Sequence, residues 1–210
     1  MREPSGAAPQ ILLIAGANGA GKSTVAPWLM RELGIRTCLN ADDIARELNP
    51  AESAAAAVAA GREMHVRMEV LRERRTSFAL ETTLSGRSLL GRLRRLERSG
   101  YVSRLAFLWL PSADAAVERV RRRVALGGHE VPEEDIRRRH SRGVHNFEQI
   151  YRLVVPFWRV YHGATPRTFG RPPLIASGSA AIVQTVANRL AWLALRVQAA
   201  EAMQGGEDER

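Results

Sequence analysis

Apolar positions along the chain follow two spacings, and these divide it into elements. Gln10 to Ala15 is a short apolar run of the kind that fills a strand buried on both faces of a parallel sheet. Lys22 to Leu33 reads as a helix stopped by Gly34, and Arg36 to Leu39 as a second short strand. The pattern then predicts a long Ala-rich, then Met- and Arg-rich helix over Ala51 to Arg75 and a third strand over Ser77 to Thr82. A helix from about Ser88 to Arg98 ends at Ser99-Gly100, and Val102 to Leu110 is a strand closed by Pro111. Ser112 is a candidate cap for a helix running to about Leu126.

Beyond that point the alternation lapses. Gly127-Gly128-His129 reads as a hinge, and Pro132 followed by Glu133, Glu134 and Asp135 opens another helix. Pro156 should end or kink the helical region, Pro172-Pro173 marks a loop, Leu174 to Ala176 is the expected last strand, and Ala180 to Ala200 the expected closing helix. No internal repeat is visible. The alternation indicates an α/β fold, a mostly parallel, doubly wound sheet with its ligands at the carboxyl ends of the strands. The expected organisation is a flexible segment over 1–9, a single domain over 10–203 with a helical lid at about 127–145, and a disordered tail over 204–210.

Composition narrows the setting. With 210 residues and 45% hydrophobic content, the chain can bury one good core. The lone Cys38 forms no internal disulfide, and no signal peptide or apolar run of membrane-spanning length is visible, so a cytoplasmic protein without membrane contact is expected. A net charge of +9 favours anionic partners. Many of the arginines fall in two helical stretches, Arg119 to Arg123 and Arg137 to Arg142, where a specific anion site competes with an ordinary solvated helix face.

Chemistry concentrates in Gly16-Ala17-Asn18-Gly19-Ala20-Gly21-Lys22-Ser23-Thr24, which matches G-x-x-x-x-G-K-[ST] between a predicted strand and a predicted helix. Its glycines let backbone N–H groups curl around the phosphates of ATP at a helix amino terminus. Lys22 would reach the β and γ phosphates, and the Ser23 hydroxyl would ligate Mg2+. The fold class that follows is a P-loop NTPase fold with a helical lid. Asn40-Ala41-Asp42-Asp43 follows the second strand, so Asp42 could take a proton from an attacking hydroxyl, while any of Asn40, Asp42 and Asp43 could instead cap a helix. Glu81 ends the third strand, where it could organise metal-bound water or bind substrate, and Thr82, Thr83 and Ser85 add hydroxyls at the same edge. Arg119, Arg123, Arg138, Arg139 and Arg142 offer positive charge to a phosphoryl transition state. His129, His140, His145 and His162 lack partners at metal-ligand spacing, which argues against zinc.

Together these segments resemble the zeta toxin-like kinases, within the wider group of P-loop nucleotide and small-molecule kinases. The resemblance rests on Gly16 to Thr24, Leu39 to Ala45, Phe78 to Gly86, and Gly127 to Pro132 with Arg138-Arg139. It implies that Asp42 is the base, that Arg123 with Arg138 or Arg139 touches the transferred phosphate, and that Glu81 and Thr83 line the acceptor pocket. In toxin members it further implies UDP-N-acetylglucosamine as acceptor and an antitoxin that blocks the ATP site. Ser85 departs from the pattern by standing where the toxins carry a basic residue, and Tyr161-His162-Gly163-Ala164 replaces a Tyr-Asp-Asn-Ser-like run. The leading expectation is a kinase that phosphorylates a hydroxyl of a small anionic metabolite. A nucleotide-dependent switch or binding module is the alternative, although it leaves Asp42 and the lid arginines without a task, and no aromatic platform for nucleic-acid bases is apparent.

Overall fold

The computed structural model describes residues 8–49, 56–128, 130–163 and 171–204. Residues 1–7 of the expected flexible start over 1–9, the first residues of the long helix, His129 of the hinge, Ala164 and the tail beyond Gln204 lie outside the described residues. A seven-stranded sheet is ordered β2-β3-β1-β4-β5-β6-β7. Its first five members, β1 (Gln10–Ala15), β2 (Thr37–Asn40), β3 (Phe78–Thr82), β4 (Val102–Trp109) and β5 (Phe157–His162), are parallel. β6 (Leu174–Ser179) and β7 (Ile182–Val186) extend it in antiparallel fashion.

The continuous apolar reading of β1 follows from its central place between β3 and β4. Ile11 and Leu13 face one layer of helices while Leu12 and Ile14 face the other, each of the four at most 3% exposed. On the second face lie α1 (Lys22–Glu32) and α5 (Ala113–Ala125), packed through Val25, Leu29, Val117 and Val120. On the first lie α3 (Ala57–Glu73), α4 (Leu89–Arg98) and α8 (Arg189–Gln204), packed through Met68, Leu93, Leu96 and Leu195. A short α2 (Ala41–Leu48) joins β2 to α3. No helix among the described residues is long and apolar enough to cross a membrane.

One element belongs to both layers. α6 (Glu133–Asn146) places Ile136 in the α1–α5 core and Val144 in the opposite core, so it crosses over the sheet. It continues as a π-helical turn, Phe147–Tyr151, and ends with α7 (Arg152–Val154) before Pro156, where sequence placed the break. Phe147 stacks on Phe107 of β4 at 4.5 Å and meets Trp158 of β5 edge-on at 6.0 Å, which fixes the crossing. Within the π turn, buried Glu148 is bonded by Arg152 at 2.7 Å and by Arg196 of α8 at 3.2 Å, so a carboxylate that would be costly alone is paired from two elements.

The carboxyl-terminal third corrects the sequence reading. Leu174 to Ala176 begins a strand but not the last one, and the expected helix over Ala180 to Ala200 is a hairpin strand followed by a shorter helix. Ala180 adopts φ of 45° in the turn between β6 and β7, and the β-branched run Ile182-Val183-Gln184-Thr185-Val186 pairs back on β6. β5, Phe-Trp-Arg-Val-Tyr-His, is aromatic and β-branched, but the preceding Pro156 hid it.

Candidate active site

The phosphate loop starts where β1 ends. Gly16 donates its N–H to Thr82 O at 3.2 Å and holds φ of 140°; a Cβ there would stand 2.4 Å from Leu108 O, so the position admits only glycine. Gly21, at φ of 89°, turns the chain into α1. Val25 is bonded to Gly21 O at 3.2 Å, so the N–H groups of Lys22, Ser23 and Thr24 stand at the open amino end of the helix.

Lys22 folds across this loop, its Nζ donating to Gly16 O at 2.9 Å and Ala17 O at 3.0 Å. Burial of the ammonium pushes its pKa down to about 8; Arg123 and Arg139 push the same way, while Glu81 and Asp42 oppose them. Five residues singled out from sequence on separate elements are thereby brought into one electrostatic neighbourhood. Glu81 is 9% exposed at the end of β3. It accepts from Ser23 Oγ at 3.0 Å and from Asn40 Nδ2 at 3.2 Å. Burial raises its pKa, against the pull of Lys22 and the Ser23 hydrogen bond.

The choice among Asn40, Asp42 and Asp43 as cap resolves to Asn40, whose Oδ1 accepts from Asp42 N at 2.9 Å. Asp43 pairs with Arg46. Asp42 is left exposed in the first turn of α2 with its carboxylate free of the capping role.

The arginines separate by task. Arg119 Nε bonds Gly19 O at 2.6 Å, steadying the loop from α5. Arg139 reaches Asn18 Oδ1 at 3.5 Å from α6 and is also held by Asp135 at 3.3 Å. Arg138 pairs with the same Asp135. Arg121 with Glu133, Arg122 with Glu118, and Arg137 with Asp114 form surface ion pairs, the bland alternative for those members. α5 ends in a turn where Gly127 N bonds Val124 O at 2.9 Å and Gly128 N bonds Arg123 O at 2.9 Å, so the glycines of the expected hinge cap the helix.

The segment after β3 is clamped from α6. A Cβ on Gly143 would lie 2.5 Å from Thr83 O, Asn146 Nδ2 donates to Leu84 O at 2.7 Å, and Tyr151 OH donates to Gly86 O at 2.8 Å. Leu84, 1% exposed, is held at φ of 57°, a left-handed conformation unfavourable for its side chain. Thr83 Oγ1 and Ser85 Oγ share a hydrogen bond at 2.9 Å. His140 anchors α6 to the end of β4 through Leu110 O at 3.0 Å, and burial lowers its pKa, so it is a neutral strut at neutral pH. Asn40, Gly143, Asn146 and Tyr151 were not assigned to the site from sequence. Only Gly143, an isolated glycine inside a helical run, carried a signal of close approach.

These residues fit a magnesium nucleotide. Ser23 Oγ and Glu81 Oε2 supply two hard oxygens beside the phosphate loop, and no cluster of three or more His, Cys, Asp or Glu suited to a metal occurs among the described residues. That is the donor set of an ion held largely by water and substrate phosphates.

The sequence model of the AAA domain family matches residues 11–143. An uncharacterized protein of Haemophilus influenzae is 26% identical over 129 residues, which are 61% of this chain and 91% of that protein. A chain of the PezAT chromosomal toxin-antitoxin system of Streptococcus pneumoniae is 14% identical, with 97% of this chain and 89% of that chain covered at a TM-score of 0.64. A chain of AvrRxo1-ORF1:-ORF2, solved with ATP, is 15% identical, with 90% of this chain and 64% of that chain covered at a TM-score of 0.66. These structural likenesses establish the fold alone, a mixed α/β architecture around a mostly parallel sheet.

Proposed function

The chain belongs to the AAA domain family, and from that premise we propose that it is an ATP- and magnesium-dependent kinase, transferring the γ-phosphate to a hydroxyl of a small anionic metabolite. The observation that carries this reading is the junction of three elements. Ser23 of α1 and Glu81 of β3 meet at 3.0 Å, and Asn40 takes over the capping of α2, which leaves the Asp42 carboxylate available.

Lys22 would exchange Gly16 O and Ala17 O for phosphate oxygens, with the orphan N–H groups at the start of α1 around them. Ser23 and Glu81 are the residues that would hold magnesium or its waters, and the ion would supply charge neutralisation to the phosphates. Thr83 and Ser85 would orient the acceptor, and Asp42 would take its hydroxyl proton as the oxygen bonds to the γ-phosphorus. The bond from that phosphorus to the bridging oxygen breaks as ADP leaves. Arg123 and Arg139 would stabilise the charge on the transferred group, with Arg138 joining if it exchanges Asp135 for phosphate.

UDP-N-acetylglucosamine is the first acceptor to try, as the family resemblance implies. The likeness to a toxin-antitoxin chain supports, in the same proposal, an inhibitory protein partner over the ATP site, and ATP-dependent chemistry suits a cytoplasmic location. The test offers ATP and magnesium with UDP-N-acetylglucosamine, UDP-glucose, simple sugars and nucleoside monophosphates separately, and weighs the products. A gain of one phosphoryl group on a hydroxyl-bearing acceptor, absent in Lys22→Ala, is expected. Phosphorylation of a nucleoside monophosphate alone would remove the acceptor class and the role of Asp42 with it.

A further inference from the structure

From Pro172 to Asn188 the sequence carries no charged residue, although 25% of the chain is Asp, Glu, Lys or Arg and its net charge is +9. That stretch holds β6, a turn and β7, and β7 is the last strand of the sheet. An edge strand presents unpaired N–H and C=O groups, which proteins ordinarily protect with lysine, proline or a covering element. β7 has none of these: all five of its residues are exposed, so it is open on both faces as well as along its edge. The opposite edge is managed differently, since β2 buries Leu39 and passes directly into α2.

Exposure continues past the strand. Every residue from Ala181 to Leu190 is exposed, with Ile182 at 67% and Leu190 at 83%. Leu193, at 60%, stands one turn beyond Leu190 on α8, while Ala191, Trp192 and Leu195 of the same helix face the core. With Val183 and Val186 at 38% each, these five apolar residues offer on the order of 500 Å2 of surface. The uncharged residues among them bring the patch near the roughly 800 Å2 per partner of a standard interface.

An open, uncharged β edge fits another strand, and this one is matched to itself. Copies of a chain at +9 meet without repulsion only where charge is absent, as it is along β7. Set antiparallel about Gln184, the strand opposes Ile182 to Val186 and Val183 to Thr185 of a second copy, β-branched pairs throughout. Gln184 then meets Gln184, and each amide can both donate and accept. The pairing with β6 passes over Gln184 at an irregularity of the ladder, so this residue is not committed to β6.

We propose that β7 is a homodimer interface, at which two copies join by antiparallel β7–β7 pairing about Gln184 into one continuous sheet. A two-fold axis normal to the sheet relates the paired strands and keeps both α8 helices on one face, with the first turn of each, which carries Leu190, beside the junction. β7 lies four places along the sheet from β1, so the phosphate loops stay open in the dimer, and the interface does not rest on the kinase reading.

The experiment measures the mass of the full chain by sedimentation equilibrium over a range of concentrations. The parent should show twice the 23.2 kDa of one chain. Gln184→Lys and Gln184→Glu each set like charges against each other on the axis, and each should weaken the dimer roughly tenfold or more. An equimolar mixture of the two variants should regain the parent's mass, which also shows that both are folded. A monomeric parent would overturn the proposal and leave the edge to a strand from another protein. A dimer that neither substitution weakens would place the contact elsewhere and overturn it, as would a mixture that stays monomeric, since Gln184 would then not meet its own copy. Assembly beyond two copies would overturn it as well, because a two-fold contact closes.

Discussion

Ser23 Oγ donates to Glu81 Oε2 across 3.0 Å, tying the first turn of α1 to the carboxyl end of β3. The carboxylate is buried with its pKa raised above the ordinary 4.5, so the folded protein holds a proton there that the unfolded chain releases. The sign follows: this contribution to stability is present below pH 4.5 and is lost as pH rises through the folded value. Glu81→Gln keeps a hydrogen-bond acceptor and removes the charge. It should gain stability relative to the parent at pH 7 compared with pH 4, while phosphotransfer falls roughly 10–100-fold through poorer metal organisation. Urea unfolding at both pH values and turnover at saturating magnesium check this; parent-like turnover would sink the metal role.

Asn40 and Asp42 make opposite predictions although they are two residues apart. Asn40→Ala removes the cap of α2 and one hydrogen bond to Glu81, so it should cost about 1 kcal/mol. Asp42→Asn should change stability by less than about 0.5 kcal/mol, keep ATP binding, and slow transfer roughly 10²–10⁴-fold, since an amide cannot take the proton. Thermal unfolding with single-turnover kinetics separates the two. Transfer at the parent rate by Asp42→Asn would leave the base unassigned.

Much of this site was legible because its chemistry lies in short contiguous segments. The phosphate loop between an apolar strand and a helix fixes its own geometry, and the acids at the ends of β2 and β3 follow from the parallel order β2-β3-β1. The contacts of Gly143 and Asn146 with Thr83 and Leu84 were not legible. They link residues about 60 positions apart through a helix that crosses the sheet, and no local periodicity encodes that crossing. β7 was missed for a different reason: alanines around it suggested helix, and only pairing with β6 makes its β-branched run a strand.

Gly143→Ala tests the clamp on the acceptor segment. The new methyl would stand 2.5 Å from the Thr83 carbonyl, a backbone atom that yields only if α6 or the segment moves. A cost of about 1–3 kcal/mol is expected. Acceptor KM should rise more than ATP KM, because the displaced residues are Thr83 to Ser85 and not the phosphate loop. Equal changes in both constants would point to a general loosening instead.

Arg139 and Arg138 are neighbours that share Asp135, but Arg139 also reaches Asn18 of the phosphate loop. Arg139→Ala should lower the transfer rate roughly 10²–10³-fold with a smaller loss of ATP binding, as for a group acting on transition-state charge. Arg138→Ala should cost less than tenfold, roughly the worth of an exposed ion pair. The reverse order in rapid-quench kinetics would mean that α6 rotates when substrates bind.

Lys22 provides the widest pH test because burial and function pull it in opposite directions. Its ammonium is bonded to Gly16 O and Ala17 O, yet its pKa is lowered from 10.5 to about 8, so desolvation outweighs the attraction of Glu81 and Asp42. Between pH 8 and 10.5 the unfolded chain binds the proton more readily than the folded one, so stability rises with pH across that window and the penalty is fully present below pH 8. Lys22→Met keeps the alkyl stem and removes the charge; near pH 7 it should be more stable than the parent by on the order of 1–3 kcal/mol. That advantage should shrink as pH approaches 10.5. The same substitution should abolish nucleotide turnover, and the parent's affinity for ATP should fall as pH rises through about 8, where the nucleotide-free loop loses its cation. Guanidinium unfolding of both proteins at neutral and alkaline pH, beside ATP titrations of the parent over the same range, reads both effects. A methionine variant less stable than the parent at pH 7 would show that the bonds to Gly16 and Ala17 outweigh desolvation, and pH-independent ATP affinity would remove Lys22 from the phosphate contacts.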